Sequence, residues 1–197
     1  MTASLVLAST SVHRAALLRR LGVEFEQAAP DFDERLHDTS FDELGPRNFA
    51  EMLARGKAES VARTRPDDWV LAADQLAVIN EDGPVQLHKP ASLEAAVGQL
   101  MRLSGREHEL ITAVVLRAPD GGQMVGFDHH RMCMRPYTRA EAEAYVQLRK
   151  PTDSVGAYHI EDEGIALFEA IDGEDFTGII GLPLLTVAPM LRAAELL

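Results

Sequence analysis

The sequence predicts an α/β protein, because short buried strands and amphipathic helices follow one another along the chain. The apolar run Leu5–Ala8 leads through three small hydroxyl residues into a stretch with helical apolar spacing. Together these predict a strand, a tight turn and a helix. A second apolar run, residues 69–73, has the composition of a buried strand. Two amphipathic stretches open on helix caps, one at Ser92 and one at the capping box of Thr138 with Glu141.

Length, charge and cysteine content limit the class of protein. A chain of 197 residues can bury a sizeable core, and we expect a single domain over residues 1–197. The formal net charge of -12 argues against a nucleic-acid surface, which needs cations to neutralise phosphates. The single cysteine, Cys133, excludes a disulfide framework and a thiolate metal cluster. No basic segment precedes the apolar opening run, which is too short to span a membrane, so we expect a cytoplasmic protein.

The turn after the first strand is the first candidate binding site. Ser9, Thr10 and Ser11 offer hydroxyl and backbone N–H groups at the start of a helix that Gly22 is placed to end. Arg14 follows within the first helical turn. The positive end of a helix dipole favours an anion such as a phosphate. N-capping explains such residues more often, and no Gly-Lys-Ser/Thr follows to make a Walker loop, so capping and anion binding both stay open.

A loop rich in carboxylates, residues 30–35, follows a predicted short strand over residues 23–27. Proline and aspartate are turn formers, so a solvated turn explains this composition. The alternative is functional: Asp33 and Glu34 would form a carboxylate pair that the loop delivers to a metal ion or a water molecule.

The next helix carries a lysine within its apolar face. Gly45 and Pro46 predict the start of this helix, with proline at or near its first position. Lys57 lies one helical turn after Leu53 and one before Val61, on the same face. A lysine in an apolar stripe either extends its ammonium group to solvent or meets an anion. The spacing alone supports both interpretations.

Two further candidates follow predicted strands or loops. Asp74 and Gln75 come directly after the apolar run of residues 69–73, and we expect the strand to end there. Ligands of open α/β sheets collect at the carboxyl ends of strands, so Asp74 is a candidate base or metal ligand. An aspartate that caps a turn explains the position equally well. Lys89 stands before Pro90, which keeps it out of the helical conformation and fixes the loop.

The remaining chain supplies secondary structure with little motif chemistry. Residues 109–117 and 123–135 predict two strands, joined by a hairpin turn at residues 120–122. A last helix is expected after Pro183. The adjacent histidines at positions 129–130 would point to opposite faces of a strand, so they cannot share a metal ion.

Taken in order, the motifs resemble those of the Maf family of nucleoside triphosphate pyrophosphatases. The resemblance runs from Leu7 to Leu184, and each motif is short, but their order is specific. The motifs are Leu-Ala-Ser-x-Ser with an arginine three positions later, Asp-Glu, Gly-Lys-Ala, Ala-Asp-Gln, Lys-Pro, Ser-Gly and Gly-Leu-Pro-Leu.

The resemblance implies both a fold and a reaction. The fold would be an elongated mixed sheet flanked by helices, with two lobes around a central cleft as in inosine triphosphatases, often in a homodimer. The reaction would be hydrolysis between the α and β phosphates of a nucleotide, which gives a nucleoside monophosphate and pyrophosphate. The implied cofactor is a divalent metal cation, Mg²⁺ or Mn²⁺.

Carried over by position, the resemblance assigns the phosphate-binding residues. Ser9, Ser11 and Arg14 would bind phosphate in the opening turn. Lys57 and Lys89 would hold the phosphate chain. Charge neutralisation and positioning supply most of the rate in such reactions, because the protein has little covalent chemistry to perform.

The same carry-over assigns the acids. Asp74 would be the proton acceptor that activates water, and Glu34 a metal or water ligand. Together Glu34 and Asp74 would hold a metal ion, whose bound water is easier to deprotonate.

Three positions bear on the substrate. Family members that prefer dTTP and UTP usually carry Asp-Thr after the strand, whereas those that prefer 7-methyl-GTP carry Asp-Gln, as at Gln75 here. Glu161 aligns with the second discriminating position, although Glu163 lies close by, and a carboxylate there can accept N–H groups of a guanine edge. His13 stands where a tryptophan would stack on the base, and Val12 replaces the usual proline.

The resemblance therefore favours a house-cleaning pyrophosphatase acting on 7-methyl-GTP or another modified nucleotide. Two alternatives are a nucleotide-binding regulator of cell division or septum formation with little catalysis, and a pyrophosphatase for dTTP and UTP or for deaminated purine triphosphates.

Overall fold

Residues 4–197 are described by the structure, a computed structural model of the chain. The strands are β1 (Leu5–Ala8), β2 (Glu26–Ala28), β3 (Trp69–Asn80), β4 (Pro84–Leu87), β5 (Glu107–Arg117), β6 (Gln123–Met134) and β7 (Phe168–Asp172). The α-helices are α1 (Val12–Arg19), α2 (Phe41–Ala62), α3 (Leu93–Leu103), α4 (Arg139–Arg149), α5 (Phe176–Ile180) and α6 (Leu184–Ala193). Two 3₁₀ helices span Glu34–Ser40 and Glu163–Leu167. Within residues 4–197, no helix combines the length and apolar composition that a membrane span requires.

The strands form one open, mixed sheet of seven strands in the order β2-β1-β3-β5-β6-β7, with β4 paired to β3. Strand β1 runs parallel to both of its neighbours, whereas the β3–β4 and β6–β7 pairs are antiparallel. The predicted α/β class and its mixed sheet flanked by helices are therefore confirmed.

Two compact units make up the described chain. The first unit contains residues 4–75, 111–128 and 175–197, and the second contains residues 76–110 and 129–174. The core of the first unit joins β1, α1 and α6, with large side chains such as Leu7, Leu18 and Leu191 completely buried. Removing such side chains from water is the main stabilising contribution to this unit.

Helix α2 is interrupted close to its beginning. Gly45 has φ of 73° and ψ of 164°, a left-handed conformation that glycine adopts at little cost. The continuous part of the helix therefore begins at Pro46, as predicted, and the turn from Phe41 precedes it. Lys57 lies between the buried residues Leu53 and Val61, which confirms the predicted apolar face.

The predicted end of β3 is wrong. The strand does not stop at residue 73 but continues to Asn80, because the apolar residues after Gln75 pair with β4 in an antiparallel hairpin. Asp74 therefore lies inside the strand. Strand β1, which runs parallel to β3, ends at Ala8. Because Leu7 pairs with Leu71, the turn after Ala8 begins beside the part of β3 that leads into Asp74. The carboxyl end of β1, rather than that of β3, adjoins this acid.

In the second unit, the adjacent histidines face opposite sides of β6, as predicted. His129 is exposed and its Nε2 lies 2.9 Å from Glu109 Oε2, whereas His130 is buried. A second buried histidine, His108, lies on β5 with its Nε2 2.8 Å from the hydroxyl oxygen of Tyr158.

We expect His108 to make stability depend on pH. Burial lowers the pKa of His108 to about 4, whereas an unfolded histidine titrates near pH 6.5. Between these values the unfolded chain binds more protons than the folded chain, so stability falls as the pH is lowered from about 6.5 to about 4. The lost free energy should be roughly 3 kcal/mol across that interval. Urea unfolding of the protein and of His108→Gln, measured against pH, checks this; an unchanged slope in the variant would contradict it.

Candidate active site

The turn after β1 is held by its own hydroxyl groups. Ser9 is buried, and its Oγ accepts a hydrogen bond from the Ser11 N–H at 3.1 Å. Ser11 is the N-cap of α1, and its Oγ accepts the Arg14 N–H at 3.3 Å. The capping interpretation is therefore confirmed for Ser11. His13 lies half-buried in the first turn of the same helix.

Arg14 lies close to the predicted acids. Its Nε donates to the Gly181 carbonyl oxygen at 2.9 Å, which fixes the guanidinium group. Burial lowers the pKa of Arg14, while the carboxylates of Asp74 and Glu34 act in the opposite direction. Electrostatic interaction of this kind requires the two acids to lie near the guanidinium group.

Lys57 is shared between the same two acids. Its Nζ lies 2.7 Å from Glu34 Oε1 and also forms an ion pair with Asp74 Oδ1. The side chains of Lys57 and Asp74 are only 8% and 5% exposed, whereas that of Glu34 is 50% exposed. The solvent-directed alternative for Lys57 is therefore wrong, and its ammonium group meets anions. We call Arg14, Glu34, Lys57 and Asp74 the acid–lysine cluster.

A close packing contact brings Glu34 to Lys57. Phe32 packs against α2 at Gly56, where an added Cβ would come within 2.3 Å of the Phe32 ring. Asp33 then caps the 3₁₀ helix by accepting the Arg35 N–H at 3.1 Å. Of the predicted carboxylate pair, Asp33 thus serves the turn and Glu34 contacts the lysine.

Gln75, next to Asp74, is held by main-chain oxygens of α5. Its Nε2 donates to the Gly178 carbonyl oxygen at 2.6 Å and to Thr112 Oγ1 at 3.1 Å. Gly178 itself lies against Asp128, whose Oδ2 would be 1.9 Å from an added Cβ. Gln75 therefore ties β3 to α5 within the first unit.

The remaining predicted residues lie in the second unit. Lys89 is exposed in the loop after β4, and Glu161 is exposed in a turn before the second 3₁₀ helix. The first unit thus contains every predicted site residue except these two, and it brings the four members of the acid–lysine cluster together.

Sequence reasoning missed the residues that support this cluster. Phe32 and Gly56 place Glu34, while Gly178 and Gly181 supply carbonyl oxygens to Gln75 and Arg14. The glycines in the Gly-Lys-Ala and Gly-Leu-Pro-Leu motifs were a usable signal, because a glycine at a fixed place in a motif often marks a close backbone approach.

The carboxylate oxygens of the acid–lysine cluster suit a hard cation that is bound by few protein ligands. Among residues 4–197, no group of three or more His, Cys, Asp or Glu side chains is arranged to hold a metal ion. The carboxylates of Glu34 and Asp74 nevertheless both contact the ammonium group of Lys57. Mg²⁺ is commonly bound by one or two carboxylates together with substrate phosphates, so these two residues fit such a cation.

The fold and the site define an α/β protein whose second helix carries a buried lysine between two acids, with an arginine from the first helix near them. The chain belongs to the Maf-like protein family, whose model matches residues 4–194.

Curated relatives match nearly the whole chain. A 7-methyl-GTP pyrophosphatase of Bdellovibrio bacteriovorus is 41% identical, covering 98% of this chain and 97% of its own. A 7-methyl-GTP pyrophosphatase of Hahella chejuensis is 38% identical, covering 96% and 92%. A nucleoside triphosphate pyrophosphatase of Rhodopseudomonas palustris is 41% identical, covering 98% and 95%.

Among solved structures, the Ham1 protein of Staphylococcus aureus has a TM-score of 0.48 at 16% identity, with 98% of this chain and 97% of that chain covered.

Proposed function

We propose that this protein is a nucleoside triphosphate pyrophosphatase that cleaves the α–β phosphoanhydride bond and releases a nucleoside monophosphate and pyrophosphate. The observation that carries the proposal is the buried Lys57, shared between Asp74 and Glu34 and accompanied by Arg14. The names of the relatives, all pyrophosphatases, support the same reaction.

The cations of the cluster suit a polyphosphate substrate. Arg14 has one of its five donors fixed by the Gly181 carbonyl, so its plane is set before a phosphate arrives. Lys57 adds a point charge in a site from which water is largely excluded, where electrostatic interactions are strong. We propose that Ser9, Ser11 and Arg14 bind phosphate oxygens, with Lys57 beside them.

Asp74 suits the role of proton acceptor. Its carboxylate is buried, Lys57 forms an ion pair with it, and the positive charge of Arg14 lies near it. A base so fixed can take the proton of a water molecule that attacks the α or β phosphorus, while the cations stabilise the charge on the departing phosphate.

The residues also suit a divalent cation, Mg²⁺ or Mn²⁺. Glu34 and Asp74 would hold it, and the substrate phosphates would complete its coordination. When bound, such a cation neutralises phosphate charge and lowers the pKa of coordinated water. Lys57 would then lie beside both ligands and limit their mutual repulsion.

For the substrate, we propose 7-methyl-GTP or another modified nucleotide. The proposal rests on the names of the relatives and on the Asp74-Gln75 pair. Glu161 would accept hydrogen bonds from the base, Lys89 would hold the phosphate chain, and His13 would stack on the base in place of a tryptophan. Because Gln75 Nε2 is already bonded to α5, we assign Gln75 an indirect part in this preference.

We further propose that residues 1–197 act as one domain, since one family model covers residues from both units. The protein would function in the cytoplasm. We propose that it forms a homodimer, and light scattering of the purified chain tests this oligomeric state.

A nucleotide panel tests the proposed function. Pyrophosphate release is measured with 7-methyl-GTP, GTP, dTTP, UTP and inosine triphosphate, each with Mg²⁺, with Mn²⁺ and with chelator. We expect release only with metal, and fastest with 7-methyl-GTP. Faster turnover of inosine triphosphate or of UTP would overturn the proposed substrate. No pyrophosphate release with any combination of nucleotide and metal would favour the nucleotide-binding regulator.

A further inference from the structure

One buried carboxylate joins the two C-terminal helices. Asp175 is 6% exposed, and its Oδ1 accepts the Thr177 N–H at 2.9 Å and the Thr177 hydroxyl at 2.5 Å. Its Oδ2 accepts the Leu185 N–H at 2.7 Å. Thr177 Oγ1 in turn accepts the Leu184 N–H at 2.8 Å. The N-termini of α5 and α6 are thus bonded to the same two side chains.

The segment held in this way supplies carbonyl groups to two site residues. Gly178, in α5, accepts the amide of Gln75 at 2.6 Å. Gly181, between α5 and α6, accepts Arg14 Nε at 2.9 Å and has φ of 114°, a conformation that favours glycine. Both carbonyl groups lie in the segment between Thr177 and Leu185, the two residues whose N–H groups Asp175 accepts, so their direction depends on this segment.

We propose that Asp175 is a positioning residue for the reaction, acting on the substrate through Arg14. Its carboxylate fixes the backbone of residues 176–185, the Gly181 carbonyl then orients the guanidinium group, and Arg14 meets the phosphates. Both oxygens of Asp175 accept hydrogen bonds, so an asparagine, with one acceptor oxygen, cannot satisfy the same donors. The effect on turnover rests on the proposed function, whereas the effect on Arg14 does not.

The first experiment reads Arg14 directly. Asp175→Asn keeps the shape of the side chain but turns one acceptor into a donor that faces another donor. The Arg14 Nε–H resonance is assigned in a ¹H–¹⁵N spectrum by its loss in Arg14→Lys, and its exchange with solvent is followed without ligand. We expect exchange to accelerate at least about tenfold in Asp175→Asn, because Gly181 moves away from Arg14. Unchanged exchange would overturn the proposal whether or not the protein is a pyrophosphatase.

The second experiment is a double-mutant cycle in kcat/KM. Asp175→Asn should lower kcat/KM by about tenfold to a hundredfold, the range expected when a binding group is misplaced by about 1 Å. In the Arg14→Lys background, which keeps the charge but loses the planar donor group, it should lower kcat/KM less than about twofold. Equal losses in both backgrounds would show that Asp175 does not act through Arg14.

Matched controls separate positioning from simple destabilisation. Thr138→Val removes another helix cap, that of α4 in the second unit, and its effect should be the same in both Arg14 backgrounds. If Asp175→Asn does not fold, Thr177→Val removes the hydroxyl bonded to Asp175 and Leu184, and Thr177→Ser should restore it. A Thr177→Val protein with normal Arg14 exchange and normal kcat/KM would contradict the proposal.

Discussion

Asparagine in place of Asp74 is expected to lower kcat for pyrophosphate release by about 10²–10⁴-fold, the contribution of a positioned general base. The amide cannot take a proton from water, and it is a weaker ligand for a divalent cation. It can still accept a hydrogen bond from Lys57, so the fold and nucleotide binding should both be retained. Steady-state pyrophosphate release, circular dichroism and the Kd of an α,β-methylene nucleotide measure the three effects.

Asp33→Asn is the matched control for Asp74→Asn. Asp33 lies in the loop that carries Glu34, but it caps the 3₁₀ helix, and asparagine caps equally well. Its activity should stay within about twofold of the unmodified protein. Full activity in Asp74→Asn, or an equal loss in both variants, would remove Asp74 from its proposed role.

The Lys57→Met substitution is expected to lower the free energy of unfolding. It leaves the Asp74 carboxylate, 5% exposed, without the ammonium group that it contacts. Breaking such a buried pair from one side costs about 3 kcal/mol or more, because an uncompensated charge stays buried. Turnover should fall by about 10²–10³-fold as well, since a cation directed at the phosphates is lost. Urea unfolding at pH 7 and pyrophosphate release measure the two losses.

A second variant identifies the buried charge as the cause of that instability. The double variant Lys57→Met with Asp74→Asn should be more stable than Lys57→Met alone, since both charges are then absent. If the double variant is instead as unstable as the sum of the single ones, the instability comes from lost packing of the lysine stem.

Local patterns predicted most of the elements that carry the site. The apolar opening run gave β1, the hydroxyl residues gave the cap of α1, and Pro46 marked the continuous part of α2. These predictions succeed because strand alternation, capping and proline chemistry act over a few residues. The position of Lys57 within an apolar face predicted an unusual partner for the same reason.

The end of β3 could not be read from its own residues. An apolar run followed by Asp74 resembles a strand that ends, and only pairing with β4 extends it to Asn80. Likewise, the Gly-Leu-Pro-Leu motif marks Gly181 as a place of close backbone approach, but it does not indicate that the Gly181 carbonyl group fixes Arg14.

The sequence by itself determined the α/β class, the family and the residue types of the site, because these follow from periodicity, caps and the order of short motifs. Only the tertiary structure decided that one ammonium group joins Glu34 and Asp74, and that the Gly181 carbonyl group fixes Arg14. The physical reason is distance along the chain. Each of these contacts joins residues that are far apart in sequence, so strand register and helix packing, rather than any local preference, bring them together.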